Sequence, residues 1–326
     1  MIQSIGIIGG GAWGTALALT AHRAGREVRI WARDHDVVAA IDERHENPRH
    51  LPGIALGHLP ATTSIAVALR ADAVLLAVPA QAVRSVAAIA APYLSHGKPI
   101  LVCAKGLERG TALRMSEVIR EAAPDCVPAV LSGPSFAADV ARKLPTAVTI
   151  ASADEELALD LCRTLGSPTF RPYATTDVIG VEIGGAIKNV LAIACGIVAG
   201  RKLGASALAA LTTRGFAELR RLGGALGARP ETLTGLSGLG DLVLTCSSLQ
   251  SRNFSYGYAL GEGGDRSAAH PLVEGIETAA VARDLARTHA IEMPIVAAVA
   301  DVLAGELTVD AAIERLMSRP LKREAD

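Results

Sequence analysis

Lys188 and Asn189 sit near the middle of VEIGGAIKNVLAIACGIVAG, residues 181–200, a stretch otherwise almost free of polar groups. It is long enough to cross a bilayer, but a mid-helix lysine would cost roughly 2.5–3.5 kcal/mol there. Four glycines and four alanines also leave it weakly hydrophobic. The better reading is a buried helix of a large soluble protein, apolar on nearly all sides and with no membrane partner. A buried ammonium group is costly unless paired, so Lys188 needs a chemical reason. Other segments offer one. AKGLE puts Lys105 just past a strand, where open α/β sheets form their ligand crevice. SGPSFA makes a strand-to-helix turn in which Gly133 and Ser135 can offer donors to an anion or an amide. GLSGLGDLVLTC sets Gly238 and Gly240 around Leu239 before Asp241, so that backbone can crowd close to a carboxylate. LQSRNFS supplies Ser251, Arg252 and Asn253 in succession, three donors suited to clamping a phosphate. Singly, each of these is as readily a cap, a turn, a helix break or a solvated loop.

A second chemistry is written at the N-terminus. GGGAWG, residues 9–14, contains Gly9-x-Gly11-x-x-Gly14 between a strand and a helix. In that setting Gly9 permits the tight turn, Gly11 lets the backbone approach a pyrophosphate, and Gly14 allows helix to pack on strand. The anion meets the free N–H groups of the helix start. An NAD enzyme would place an acidic residue ~20 positions further on, against the ribose hydroxyls. In VRIWARD that place falls near Ala32, and Arg33 follows. A guanidinium there pairs with a 2′-phosphate, which a carboxylate would repel. NADP(H) is therefore favoured, with Asp34 near enough to keep NAD(H) open.

The elements that must position these groups follow two patterns. From Ser4 onward the runs SIGIIG, EVRIWA, AVLLAVP, PILVCA, AVLSG, AVTIAS and TFRPY read as strands. They alternate with helical stretches such as AWGTALALTAHRAG and PAQAVRSVAAIAAPYL. Near-continuous apolar strands separated by helices imply α/β architecture, an N-terminal Rossmann-like doubly wound parallel sheet covered on both faces. After about residue 176 only Ala/Leu-rich helices broken by glycines remain, so an all-helical C-terminal domain is expected. The division is set at 1–180 and 181–326, which suits a length of 326 residues. The 32 basic and 33 acidic residues balance, and aromatics are 3%, which argues against a nucleic-acid partner. Five scattered cysteines without a C-x-x-C pair suit reduced thiols in the cytoplasm. The start MIQSIGIIGG lacks the charged segment of a signal peptide. The eight histidines show no metal-ligand spacing, and DERHENPRH, residues 42–50, reads as a solvated helix end. No metal is expected.

Taken in order and spacing, GGGAWGTALA, AKGLE, SGPSFA, GGAIKNVLAI, TTRGFAE, GLGDLVLTC, SRN and VEGIETA resemble bacterial glycerol-3-phosphate dehydrogenase of the NAD(P)-dependent type. The likeness runs essentially end to end, and IKN, GLGDL and SRN are its specific part. It implies interconversion of sn-glycerol 3-phosphate and dihydroxyacetone phosphate, supplying the glycerol backbone of phospholipids. It also implies a Rossmann domain joined to a helical one, and a homodimer. By the same resemblance Lys188 is the acid/base. A free lysine is a poor base at neutral pH, but an apolar helix and the ammonium of Lys105 would both lower its pKa. Asp241 would oppose that shift and so orients Lys188 or the substrate hydroxyl. The resemblance sets Lys105, Gly133, Ser135, Lys188, Asp241, Ser251, Arg252 and Asn253 around the substrate, a phosphorylated triose, with Arg252 on the phosphate. Asn189 also matches a family position, for binding or for packing. For the cofactor it points, beside the glycines, to Ala12, Trp13, Arg33, Lys105, Ala137, Arg252, Leu272 and Glu274. Ala12 stands where serine is common and removes one side-chain donor. Leu272 stands for a frequent valine.

Two rivals keep the scaffold. A β-hydroxyacid or 6-phosphogluconate-type dehydrogenase would also pair a Rossmann half with a catalytic lysine, but a carboxylate substrate would want its anion clamp elsewhere than SRN. A dinucleotide-responsive binding protein would have no evident need of a buried lysine beside Asp241.

Overall fold

The computed structural model describes residues 2–265, 272–321 and 323. Its N-terminal part is an eight-stranded sheet of order β3-β2-β1-β4-β5-β6-β7-β8. The strands are β1 (Ser4–Ile8), β2 (Glu27–Trp31), β3 (Ala61–Thr62), β4 (Ala73–Leu76), β5 (Pro99–Val102), β6 (Val127–Ser132), β7 (Thr146–Ser152) and β8 (Phe170–Thr175). Every neighbouring pair is parallel except β6–β7, so β7 and β8 run against the rest. The first six follow the dinucleotide-binding order, with the direction of progression reversing at β1 and β4. In register, Ile7 lies between Ile30 and Leu75, three side chains of the sheet core. Helices cover both faces, which is why β1 and β4 are apolar along nearly their whole length. The expected doubly wound sheet is present. The antiparallel turn at β7 is not visible in the residue pattern, because an apolar run is apolar in either direction.

The sheet ends at Thr175, and the helix Val178–Gly200 begins after Asp177, whose side chain accepts from the N–H of Gly180 at 2.9 Å. All its residues but Ile179 and Ala199 are buried. The helices Ala205–Ala225, Asp241–Cys246, Arg252–Gly261, Glu274–Thr288 and Pro294–Ala304 surround it, and Ile187, Leu191, Leu222, Leu242 and Val296 fill the second core. Among the described residues, the one helix long and apolar enough to span a bilayer is thus the central strut of a helical domain, with 94% of its apolar 18-residue window buried inside the protein. Among the described residues after Thr175 there is no strand.

Glycines set the closest approaches in this domain. A Cβ at Gly196 would lie 2.1 Å from the Phe254 carbonyl oxygen, and one at Gly200 would lie 2.2 Å from that of Tyr258. The Arg252–Gly261 helix therefore rests on the Val178–Gly200 helix backbone to backbone, and the SRN segment at its start is carried to the level of Lys188.

Candidate active site

The glycine turn lies at the carboxyl end of β1. Gly9 has φ +129°, a conformation that L side chains rarely adopt, and a Cβ there would fall 2.5 Å from the Ala77 carbonyl oxygen. A Cβ at Gly14 would lie 1.9 Å from the Gly9 carbonyl oxygen, so this glycine is what lets the helix Ala12–Arg23 seat on the strand. Gly11 differs: nothing stands within 4 Å of its missing Cβ. No side chain caps this helix, and its first turn holds no acid. Open space in front of uncapped N–H groups fits a pyrophosphate. Ala12 and Trp13 occupy the first helical turn, and the indole N–H of Trp13 is buried without a partner.

The Asp42–His50 cluster is more than the solvated helix end that its composition suggests. Asn47 within it is 1% exposed, and its amide donates to the Gly10 carbonyl and to Thr15 Oγ1, both at 2.9 Å. This side chain braces the glycine turn. The only hint in the sequence is an uncharged amide within a charged run. At the end of β2, Ala32 is packed so closely on Gly10 that a Cβ there would lie 2.7 Å away. Arg33 follows, exposed and free of ion pairs among the described residues. Asp34 accepts from the Asp36 N–H at 2.9 Å, capping the helix His35–Asp42, and pairs with Arg49 at 2.7 Å.

The chemical centre is Asp241. One of its carboxylate oxygens accepts from Lys188 Nζ at 2.6 Å, and the other accepts from Lys105 Nζ at 2.7 Å. Lys105 also donates to the Gly133 carbonyl at 2.9 Å, and Lys188 donates to Thr245 Oγ1 at 2.8 Å. Asp241 is 1% exposed and Lys188 is 6% exposed. The five groups come from four elements: Lys105 from the loop after β5, Gly133 from the turn after β6, Lys188 from the central helix, and Asp241 and Thr245 from the helix Asp241–Cys246. A turn of π-helix, Leu236–Gly240, precedes Asp241. It packs on the central helix through Gly184, where a Cβ would lie 2.6 Å from the Ser237 carbonyl oxygen. Gly238 is crowded as its sequence context suggests, with a Cβ there only 2.0 Å from the Leu233 carbonyl oxygen, whereas a Cβ at Gly240 would meet nothing closer than 3.6 Å. Thr245 is the centre's unforeseen member, although its place one helical turn after Asp241 puts it on the same face.

Two ammonium groups on one carboxylate set the protonation states. Burial is the largest influence on Lys188 and lowers it to about 8; Asp241 opposes that shift, and Lys105 adds to it. Burial alone would raise Asp241, but Lys105 and Lys188 together hold its carboxyl below the ordinary range. Glu274 is raised, first by burial, while Arg252, Lys105 and Lys188 all pull the other way. Lys105 and Lys188 meet at one space, on the two oxygens of Asp241.

Asn253 ties this space together. Its Oδ1 accepts from the Gly275 N–H at 2.9 Å, and its amide donates to Asn189 Oδ1 at 3.0 Å. Asn189 in turn donates to the Lys105 carbonyl at 3.1 Å. Beside Gly275, Glu274 accepts from the Ala80 N–H at 3.2 Å, in the segment that follows Ala77, the residue packed against the glycine turn. Ser251 caps the helix Arg252–Gly261 by accepting from the Phe254 N–H at 3.2 Å, and Arg252 is exposed at its first position. Ser135 donates to the Gly133 carbonyl at 3.0 Å, and Ala137 opens the helix Ala137–Ala141. Leu272 is half-exposed just before Glu274. Arg33 follows Ala32, which packs on Gly10 of the glycine turn; Ala77, against Gly9 and Gly14, leads through Val78 and Pro79 to Ala80 beside Glu274.

Residues 4–158 match the family NAD-dependent glycerol-3-phosphate dehydrogenase N-terminus, and residues 177–314 match NAD-dependent glycerol-3-phosphate dehydrogenase C-terminus. The chain is 62% identical over 323 residues to a glycerol-3-phosphate dehydrogenase [NAD(P)+] of Bradyrhizobium sp. strain BTAi1, covering 99% of this chain and 98% of that one. It is 59% identical over 322 residues to the protein of that name from Azorhizobium caulinodans, covering 98% of each. The crystal structure of glycerol-3-phosphate dehydrogenase from Coxiella burnetii superposes with a TM-score of 0.92 at 41% identity, covering 98% of this chain and 99% of that one.

Proposed function

The chain belongs to the NAD-dependent glycerol-3-phosphate dehydrogenase family, and from that membership we propose how its own residues carry the reaction. It is an NAD(P)-dependent oxidoreductase acting on a CH–OH group, interconverting sn-glycerol 3-phosphate and dihydroxyacetone phosphate. The observation that carries the mechanism is the sharing of Asp241 by Lys188 and Lys105.

Lys188 is the acid and base. In oxidation its neutral amine takes the hydroxyl proton; in reduction its ammonium returns one to the developing alkoxide. Near neutrality a group at about 8 is mostly protonated, which suits reduction of dihydroxyacetone phosphate as the working direction, for phospholipid synthesis. The dinucleotide, when bound, accepts the hydride in one direction and supplies it in the other. Asp241 aims both ammonium groups and keeps Lys188 from losing its proton too readily. Lys105, with Gly133 and Ser135 beside it, polarises the carbonyl whose carbon exchanges the hydride. Arg252 pairs with the substrate phosphate at a helix N-terminus, with Ser251 and Asn253 shaping the turn that presents it. Asn189 holds the Lys105 loop against the central helix.

The nucleotide lies along Gly9, Gly11, Ala12, Trp13 and Gly14, with Arg33 on the 2′-phosphate. Lys105, Ala137, Arg252, Leu272 and Glu274 line the way to the reacting centre. NADP(H) and NAD(H) both serve, with NADP(H) preferred. The division of labour follows residues 1–180 and 181–326. We place the enzyme in the cytoplasm as a homodimer without membrane or nucleic-acid partners, a setting that suits its free cysteines.

The test is loss of reduced-nicotinamide absorbance with dihydroxyacetone phosphate, run with NADPH and NADH in parallel and with dihydroxyacetone and a β-keto acid as controls. Fast turnover that requires the phosphate and is lost in Lys188→Ala, with NADPH binding unchanged, is the expected result. Near-normal turnover in Lys188→Ala would remove Lys188 from the chemistry.

A further inference from the structure

The end of β2 carries two groups of opposite preference. Arg33 would welcome a 2′-phosphate, and Asp34 would repel one and bond a ribose hydroxyl instead. Sequence order cannot say which of them faces the nucleotide freely. The structure shows that the Asp34 carboxylate is engaged on both oxygens: Oδ1 accepts from the Asp36 N–H at 2.9 Å, and Oδ2 pairs with Arg49 Nη1 at 2.7 Å. Arg49 is not placed there by chance contact of two loops. It follows Asn47, whose amide is bonded to the Gly10 carbonyl and to Thr15, and the turn closes where the Leu51 N–H donates to the Asn47 carbonyl at 2.7 Å. Leu51 is buried in the sheet core. The turn bearing Arg49 is thereby pinned to the nucleotide's own glycine loop. The ion pair is exposed on both sides, at 68% for Arg49 and 42% for Asp34, so it adds little to stability. Its consequence falls on what binds beside it.

We propose that Arg49 is a specificity-determining residue for the dinucleotide: by holding the Asp34 carboxylate it removes the group that would reject a 2′-phosphate and leaves Arg33 to receive it. The proposal rests on the reading that the nucleotide ribose lies at the end of β2. Within that reading it adds a residue from another segment and a cause for NADP(H) use despite an acid at position 34. The device is a neutralised carboxylate; Arg49 itself makes no contact with the phosphate in it.

The experiment is isothermal titration calorimetry of NADPH and NADH into the full-length chain without substrate, at one ionic strength, for wild type, Arg49→Ala, Asp34→Asn, the double variant and Arg33→Ala. Asparagine keeps the helix cap, so Asp34→Asn removes the charge alone. Arg49→Ala is expected to raise the NADPH dissociation constant about tenfold and to leave or lower that for NADH. The double variant is expected to recover most of the lost NADPH affinity. Equal changes for both nucleotides, no change in either, or failure of Asp34→Asn to rescue Arg49→Ala would each overturn the proposal. Arg33→Ala tests the underlying reading separately. If it leaves the NADPH preference intact while Arg49→Ala abolishes it, the Arg33 assignment falls and Arg49 stands. A wild-type chain that bound neither nucleotide would bring both down.

Discussion

Gly257 lies directly on the carbonyl oxygen of Ile193: a Cβ added there would come within 2.1 Å of it. The same separation along the chain, 64 positions, divides Asn189 from Asn253, which are joined by a hydrogen bond of 3.0 Å. It also divides Ile197 from Gly261, whose missing Cβ would fall 2.5 Å from the Ile197 carbonyl oxygen. The helices Val178–Gly200 and Arg252–Gly261 therefore run parallel and in register. Lys188 and Arg252 stand one residue before the bonded asparagines, so the proposed proton-transfer group and the proposed phosphate clamp share one level of this helix pair. Their relative height is fixed by backbone contact at Gly257 and Gly261, with the Asn189–Asn253 bond as a side-chain link beside it.

Gly257→Ala should break that contact. The added methyl meets the backbone of Ile193, which no rotamer change can move aside. We expect a loss of about 1–3 kcal/mol in denaturant unfolding. We also expect a fall in kcat/KM for dihydroxyacetone phosphate larger than that for unphosphorylated dihydroxyacetone. An equal fall for both substrates would mean that the helix pair sets stability alone.

The protonation of Lys188 should be visible in the pH dependence of both directions. With its ammonium lowered to about 8, chiefly by burial, reduction needs the protonated form and should decline as pH rises through about 8. Oxidation needs the neutral form and should decline as pH falls through the same value. Opposite limbs meeting near one pH in kcat/KM are the expected observation; limbs that failed to cross would assign the proton to another group.

Asp241→Asn removes the main influence holding Lys188 up. Burial and Lys105 then prevail, so the alkaline limb of reduction should move to lower pH. Two ammonium groups also lose their shared partner, and breaking a buried pair in this way typically costs ~3–5 kcal/mol. Part of that loss is relieved if Lys188 gives up its proton, so the variant should be relatively more stable at alkaline pH than at neutral. Thermal unfolding followed across that range gives the answer, and a pH-independent loss would argue that Lys188 stays charged.

Much of this was legible because each signal had one physical meaning. Apolar β-branched runs between helical stretches read as sheet strands, and Gly9 makes the turn and Gly14 seats the helix as their spacing implied, while the space at Gly11 is left open. Lys188 stood out because nothing but a partner or a reaction excuses an ammonium in that helix. Other features had no such signal. β3 is two residues long and too short for any pattern. Thr245 was hidden among apolar neighbours of Asp241, since a threonine is ordinary there until Lys188 Nζ is found 2.8 Å away. Asn47 was masked by the charges around it, because composition over a window cannot tell the one inward side chain from its solvated neighbours. The pairing of Asn189 with Asn253 depends on helix register between distant segments, which no local reading supplies.

Glu218 offers a measurement far from the chemistry. It lies in the helix Ala205–Ala225, is 1% exposed, and accepts from the N–H groups of Ile295 at 2.8 Å and Val296 at 3.1 Å, at the start of the helix Pro294–Ala304. Burial is the larger influence and raises its carboxyl to about 7, against the pull of those two bonds. The folded value is thus above the unfolded one. The protonated state's contribution to stability is fully present below the unfolded value of 4.5 and is lost as pH rises through about 7. Glu218→Gln cannot ionise and should not lose it. The difference in unfolding free energy between variant and wild type should therefore move in the variant's favour between pH 5 and pH 7.5, by on the order of 1–3 kcal/mol. Glu182, also raised by burial to about 6, is present in both proteins and cancels in the difference. Urea unfolding of the pair at the two pH values decides it: parallel stabilities would mean that the two helix-start N–H groups outweigh burial and keep Glu218 ionised throughout.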